Sequence, residues 1–177
     1  MRNFIICILF CTSLFTVQVA QACSIRFPDM ESDTNQLKKL GGASFSFLFW
    51  DLYKSTLYTS NANKPRDANE VLFKIQYKRD IDKKDLVEQT QVQWEHLKLP
   101  PKEYQSYLPE LENIWPNVKK GDTLALLVSN KGSSFYLNQA CIGTIADPHF
   151  GKRFLDIWLS PNTSEPKQRK RLLGARR

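Results

Sequence analysis

Side chains able to do chemistry are sparse in this chain and badly spaced for it. His96 and His149 are the only imidazoles among 177 residues, and neither has a cysteine or carboxylate at the spacing that a metal site needs. Glu95 adjoins His96, but consecutive residues of a helix point in different directions and do not share a substrate atom. The chain has no Gly-x-Ser-x-Gly elbow, no phosphate-binding loop and no paired-carboxylate motif. Of its four cysteines, Cys7 and Cys11 lie in an apolar leader, while Cys23 and Cys141 stand apart from any Cys-x-x-Cys pair. The inventory argues against zinc and thioredoxin-like chemistry, and it predicts no catalytic residue, no metal and no cofactor.

The elements that would position any site are clearer. From Ala43 to Tyr58 the residues are aromatic or β-branched to an unusual degree, and Phe45, Phe47 and Phe49 alternate with Ser44, Ser46 and Leu48 as in a half-buried strand. The alternation blurs from Trp50 to Tyr53, which predicts a bend or bulge that makes one strand into two or lets one long strand change its buried face. After the turn residues 61–69, Val71, Phe73, Ile75 and Tyr77 resume period two. Leu86, Thr90 and Trp94 then switch to helical spacing from about Asp82 to Leu97, and Pro100-Pro101 closes the pattern. Tyr104, Tyr107, Leu108, Leu111 and Ile114 continue it on a second segment that Pro109 should kink or split.

Thr123 to Ser129 begins a new strand, and Asn130-Lys-Gly-Ser133 turns it into the next. The last third reads strand, strand, helix, helix. Asp147-Pro148 looks like an N-cap followed by proline at the first helical position, and Gly174 follows the final apolar pair Leu172-Leu173. About six strands, with helices before the last ones and after them, make an α+β fold: an antiparallel sheet with helices packed on one face.

The leader predicts a destination. Residues 1–22 hold one basic residue, Arg2, no acid, an apolar run from Phe4 to about Val17, and the small-x-small pattern Ala20-Gln-Ala22. The run is shorter than the ~20 residues that span a bilayer, and Thr12, Ser13 and Gln18 interrupt it. A cleaved signal peptide over 1–22 and a single domain over 23–177 are expected, in the periplasm or secreted. Cys23 would then be the first mature residue, which opens three uses for the two cysteines: acylation of Cys23 as a lipid anchor, a Cys23–Cys141 disulfide, or Cys141 as a small buried apolar residue. Membrane contact is expected only through an acylated Cys23.

The formal charge is +7, and basic residues crowd the end of the chain, in Lys167, Arg169, Lys170, Arg171, Arg176 and Arg177. This basic tail from about residue 167 suits a helix C-terminus and a solvated face, and with no RNA-binding aromatic motif beside it no nucleic-acid partner is expected.

Two blocks carry a family resemblance. Tyr136-Leu-Asn-Gln, Ile145-Ala-Asp147, Ile157-Trp-Leu159 and Ser164-Glu-Pro166 follow one another in the order and wording found in bacterial chalcone-isomerase-like proteins. Gly41-Gly-Ala-Ser-Phe through Tyr58 resembles that family's first long hairpin, and Tyr77-Lys-Arg-Asp-Ile81, Trp94 and Trp115-Pro its middle. The resemblance implies an open-faced β-sandwich in which helices and the large sheet enclose a cleft. It also implies where to look for a site. True chalcone isomerases place an arginine just after the glycine-rich start of an early strand, and fatty-acid-binding members hold a carboxylate with an arginine and a tyrosine, a task suited to a bidentate guanidinium.

Laid on that pattern, Ser46 stands where many relatives carry arginine, so the anion-holding role is lost or moved. Arg79 is the nearest basic replacement, although a surface ion pair with Asp80 or Asp82 is its plainer use. Tyr53 and Tyr58 resemble the family's tyrosine, and Thr90 with Trp94 lies on the helix that should cover the cleft, where core packing is the commoner role. The resemblance therefore points to an exported, non-catalytic protein that binds a small apolar or amphipathic ligand such as a fatty acid. The alternatives are an isomerase or lyase on an unknown phenolic or acyl substrate, and a ligand-free interaction module of the cell envelope.

Overall fold

The computed structural model describes residues 23, 37–47, 50–65 and 68–175, so the expected signal peptide lies outside the described residues. Three strands open the fold: β1 (Lys38–Phe47), β2 (Trp50–Thr59) and β3 (Val71–Tyr77). Two helices follow, α1 (Lys83–His96) and α2 (Tyr107–Ile114). The chain then adds β4 (Thr123–Ser129), β5 (Gly132–Leu137) and β6 (Ala140–Ile145) before α3 (Phe150–Leu159) and α4 (Pro166–Leu172). All neighbouring strands are antiparallel, and their order across the six-stranded sheet is their order in sequence. The fold is α+β, as expected.

Period two sorts the sheet's side chains into two layers. Leu57, Val71, Phe73, Ile75, Leu124, Leu126 and Phe135 face the helices and form the main core with Trp94, Leu111, Phe150, Phe154 and Leu159. The residues between them, Leu72, Ala125, Leu127 and Tyr136, form a smaller cluster on the opposite face with Leu37, and Tyr58 packs at its margin. The blurred alternation near Trp50 is a register shift, in which Phe45 pairs with Tyr53 but Ser46 with Asp51, so Leu52 is the extra residue.

Two helix boundaries differ from the sequence reading. Pro109 neither kinks nor splits α2, because the helix starts at Tyr107 and proline falls in the first turn, where its missing N–H has no partner to lose. Asp147-Pro148 does not open α3; the first helical residue is Phe150, with His149 at the N-cap. Asp147 still works locally, because one carboxylate oxygen accepts the His149 N–H at 2.7 Å.

The two cysteines of the domain are joined. Cys23 and Cys141 form a disulfide with Cα atoms 6.0 Å apart, within the usual reach of such a bond. Cys141 lies exposed on β6, which corrects its reading as a buried apolar residue.

Candidate ligand site

The layer between sheet and helices is packed with aromatic rings, and their burial is uneven. In its middle, Phe154 meets Phe135 and Phe150 at centroid distances of 5.6 Å, and Trp94 stacks near Tyr104 at 5.5 Å. Trp94 and Phe150 are fully buried, so this part is closed by its own side chains. Toward β1 and β2 the rings stay in contact but are less buried. Phe45, Tyr53 and Trp158 are all half-buried, with Tyr53 5.2 Å from Phe45 and Trp158 4.7 Å from Phe73.

A polar centre sits at this less buried end. The Trp158 Nε1–H donates to the Tyr53 hydroxyl at 3.0 Å, joining α3 to β2. α4 brings Gln168 to the same hydroxyl, close enough to lower its pKa, although neither amide atom of this 4%-exposed side chain completes a hydrogen bond. Burial pushes the Tyr53 pKa up to about 12; the Trp158 hydrogen bond opposes this, and the nearby Glu165 charge adds to the rise. Burial also raises the Tyr77 pKa, and Tyr53 contributes to it. The centre is therefore neutral near pH 7, and the Glu165 charge bears on the Tyr53 hydroxyl.

α4 reaches this position because β1 lets it. Gly41 lies directly under its last turn: a Cβ there would fall well inside contact distance of the Arg171 and Leu172 carbonyls. Gly174 then ends the helix with a φ of +83°, a left-handed conformation that suits glycine after a C-cap.

The other expected site residues lie elsewhere. Ser46 is exposed, one residue beyond Phe45 on the alternating strand, and donates to Asp51 across the hairpin. Tyr58 is five residues from Tyr53, an odd number, so it points to the opposite side of the sheet. Arg79 is exposed in the bend after β3. Thr90 bonds back to the Leu86 carbonyl at 2.8 Å, and the Trp94 indole donates to the Arg153 carbonyl at 3.0 Å, so both are core residues of α1. Of the six candidates, only Tyr53 stands at the polar centre.

Sequence reasoning missed Gln168, which sits among four basic residues and reads as part of a solvated tail. It also missed a network far from Tyr53. Arg153 donates to the Tyr107 hydroxyl at 2.9 Å and to Glu103 at 3.1 Å, while Tyr107 donates to Asp147 at 2.6 Å. The Tyr107 hydrogen bond and then the His149 N–H hold the Asp147 carboxyl below its usual range. Burial, then the Asp147 bond, raises the Tyr107 hydroxyl. Burial opposes the charged form of Arg153, but bonds to Glu103 and Tyr107 outweigh it and hold its pKa up. Each group is hydrogen-bonded to another in the set, so the network clamps α2 to α3.

Among the described residues, no cluster of three or more His, Cys, Asp or Glu side chains could hold a metal ion, and no helix is long and apolar enough to cross a membrane.

The sequence pattern of the chalcone isomerase-like family matches residues 21–174. The chain belongs to that family. A Haemophilus influenzae protein described as uncharacterized is 24% identical over 135 residues, covering 76% of this chain and 67% of its own length. Among solved structures, an Arabidopsis thaliana fatty-acid binding protein superposes with a TM-score of 0.63 at 13% identity, over 84% of this chain and 91% of that one. At that identity the likeness shows a shared chalcone isomerase-like fold, and the half-buried polar centre lies between its sheet and helices.

Proposed function

We propose that this chalcone isomerase-like protein is an exported, non-catalytic binder of a small amphipathic ligand, held at the β1–β2 end of the aromatic layer. One observation carries the reading: the Tyr53 hydroxyl, the Trp158 indole and the buried Gln168 amide converge where the rings are only half-buried. A mostly apolar surround with a few convergent polar groups is the usual form of such sites. The fatty-acid-binding description of the Arabidopsis protein supports the same class of ligand.

The polar end of the ligand is uncharged. Gln168 offers both a donor and an acceptor, and the charge that bears on Tyr53 is the negative one of Glu165, which repels a carboxylate. A long-chain acid therefore binds in its protonated form, and an alcohol or amide of equal length binds better at neutral pH.

Export is part of the proposal. The disulfide favours an oxidising compartment, and a Cys23 sulfur bonded to Cys141 has no thiol left to acylate, so the reading is a periplasmic or secreted protein without a lipid anchor.

Binding of a fluorescent fatty alcohol and of the matching fatty acid, titrated by fluorescence, tests the site. The alcohol should bind across neutral pH and the acid more tightly as pH falls, with both weakened about tenfold in Gln168→Leu, the equivalent of one lost hydrogen bond. Tight binding of the carboxylate that strengthens with rising pH would overturn the uncharged site. No binding of either probe by wild type would overturn the ligand reading.

A further inference from the structure

The face of α4 opposite Gln168 and Leu172 turns Lys167, Lys170 and Arg171 to solvent. Residues spaced by three and four share a helix face, so the three charges form one stripe. Beside it lies a cleft of about 300 Å³, where Lys54 of β2 and Arg171 converge over Gly42 and Ser44 of β1. Its lining holds two cations and no acid. Ser44 and Lys54 are register partners across the hairpin, and β1 is an edge strand, so alternate peptide N–H groups point away from β2.

The helix dipole accounts for cations in the last turn of α4, but not for Lys54, which comes from another element. A surface built only for solubility mixes the two signs of charge. Here one sign runs from a helix onto a strand, and none of Lys54, Lys167, Lys170 and Arg171 is paired with a carboxylate among the described residues.

We propose that the Lys54–Arg171 cleft seats the phosphate of an anionic phospholipid, and that the cationic stripe of α4 docks the protein on a negatively charged bilayer surface. The cleft is too small and too polar for an acyl chain. It suits a head group, whose phosphate accepts from both side chains and from the Ser44 hydroxyl. Docking through α4 would also hold Gln168 and Tyr53 within about one helix diameter, ~10 Å, of the lipid. The proposal needs only α4 and the first hairpin, and it stands whether or not the inner site takes a ligand.

Co-sedimentation of the oxidised protein with vesicles of phosphatidylcholine, with and without phosphatidylglycerol, tests it. The protein should pellet only with the phosphatidylglycerol vesicles and be released as salt rises. Each surface cation contributes about fivefold, so Lys54→Gln with Arg171→Gln should weaken binding about 30-fold. Both side chains are exposed, and an unchanged melting temperature will show that the double variant is folded. Lys84→Gln with Lys102→Gln, which removes the same charge elsewhere, should bind as wild type. Equal pelleting with pure phosphatidylcholine, wild-type binding by the double cleft variant, or affinity for an oligonucleotide without affinity for vesicles would each overturn the proposal.

Discussion

Tyr53 is the residue on which the site turns, because its hydroxyl accepts from Trp158, lies beside Gln168 and is half-buried. Tyr53→Phe leaves the half-buried Trp158 N–H without its acceptor, so stability should fall by about 0.5–1.5 kcal/mol in denaturant unfolding. The same hydroxyl makes the protein sensitive to base. A tyrosine at about 12 in the folded state and 10 in the unfolded one favours the folded state while neutral. That contribution is complete below pH 10 and lost between 10 and 12, about 2–3 kcal/mol over two pH units. Unfolding followed from pH 9 to 12 should show this loss, and Tyr53→Phe should flatten the part due to Tyr53 while the Tyr77 part remains. An unchanged profile in the variant would show that Tyr53 ionises in both states alike. The sequence could not separate Tyr53 from Tyr58 until the register was known, since only parity along β2 decides which one faces the helices.

At the scale of elements, much was legible because strong periodicities leave little choice. Phe73, Ile75 and Tyr77 could only be one face of a strand, and Thr90 with Trp94 one face of a helix. Boundaries were harder. Asp147-Pro148 has the chemistry of a helix start, but the Asp147 carboxylate is also drawn to Tyr107, 40 residues away, a contact with no local signature. Gln168 was illegible for a similar reason: a seven-residue helix with four basic residues looks solvated until its packing on β1 is seen. That packing depends on Gly41. Gly41→Ala would drive a methyl group into the Arg171 and Leu172 carbonyls, and the backbone of a helix end cannot step aside cheaply. A loss of about 1–3 kcal/mol is expected, with α4 displaced. Hydrogen exchange should show the amides of α4 and the β1 edge opening before those of β4 and β5. Uniform loss of protection across the sheet would place Gly41 in the global core and not at a hinge between α4 and β1.

For the molecule as a whole, the Cys23–Cys141 bond is the one covalent tie among the described residues, spanning 118 residues of sequence between Cys23 and β6. The sequence offered the two cysteines but no distance between them, so this tie could be only one option among three. Its effect follows from chain entropy: closing a loop of this size removes more freedom from the unfolded state than a short loop does, on the order of 4–5 kcal/mol before strain is counted. The main core holds Trp94, Leu111, Phe150 and Leu159 at 0% exposure without help from Cys23, so the native fold should survive reduction. Reduction or Cys141→Ser should therefore lower the unfolding free energy by about 2–5 kcal/mol, a large share of a domain's usual 5–15, while leaving the far-ultraviolet circular dichroism of the native state unchanged. Equilibrium unfolding with and without dithiothreitol measures the difference, and Cys141→Ser should no longer respond to the reductant. If the oxidised and reduced proteins unfold at the same denaturant concentration, the bond adds nothing to folding. If instead the reduced chain loses its secondary structure, the aromatic layer is too small to hold the domain alone, and the fold depends on an oxidising compartment.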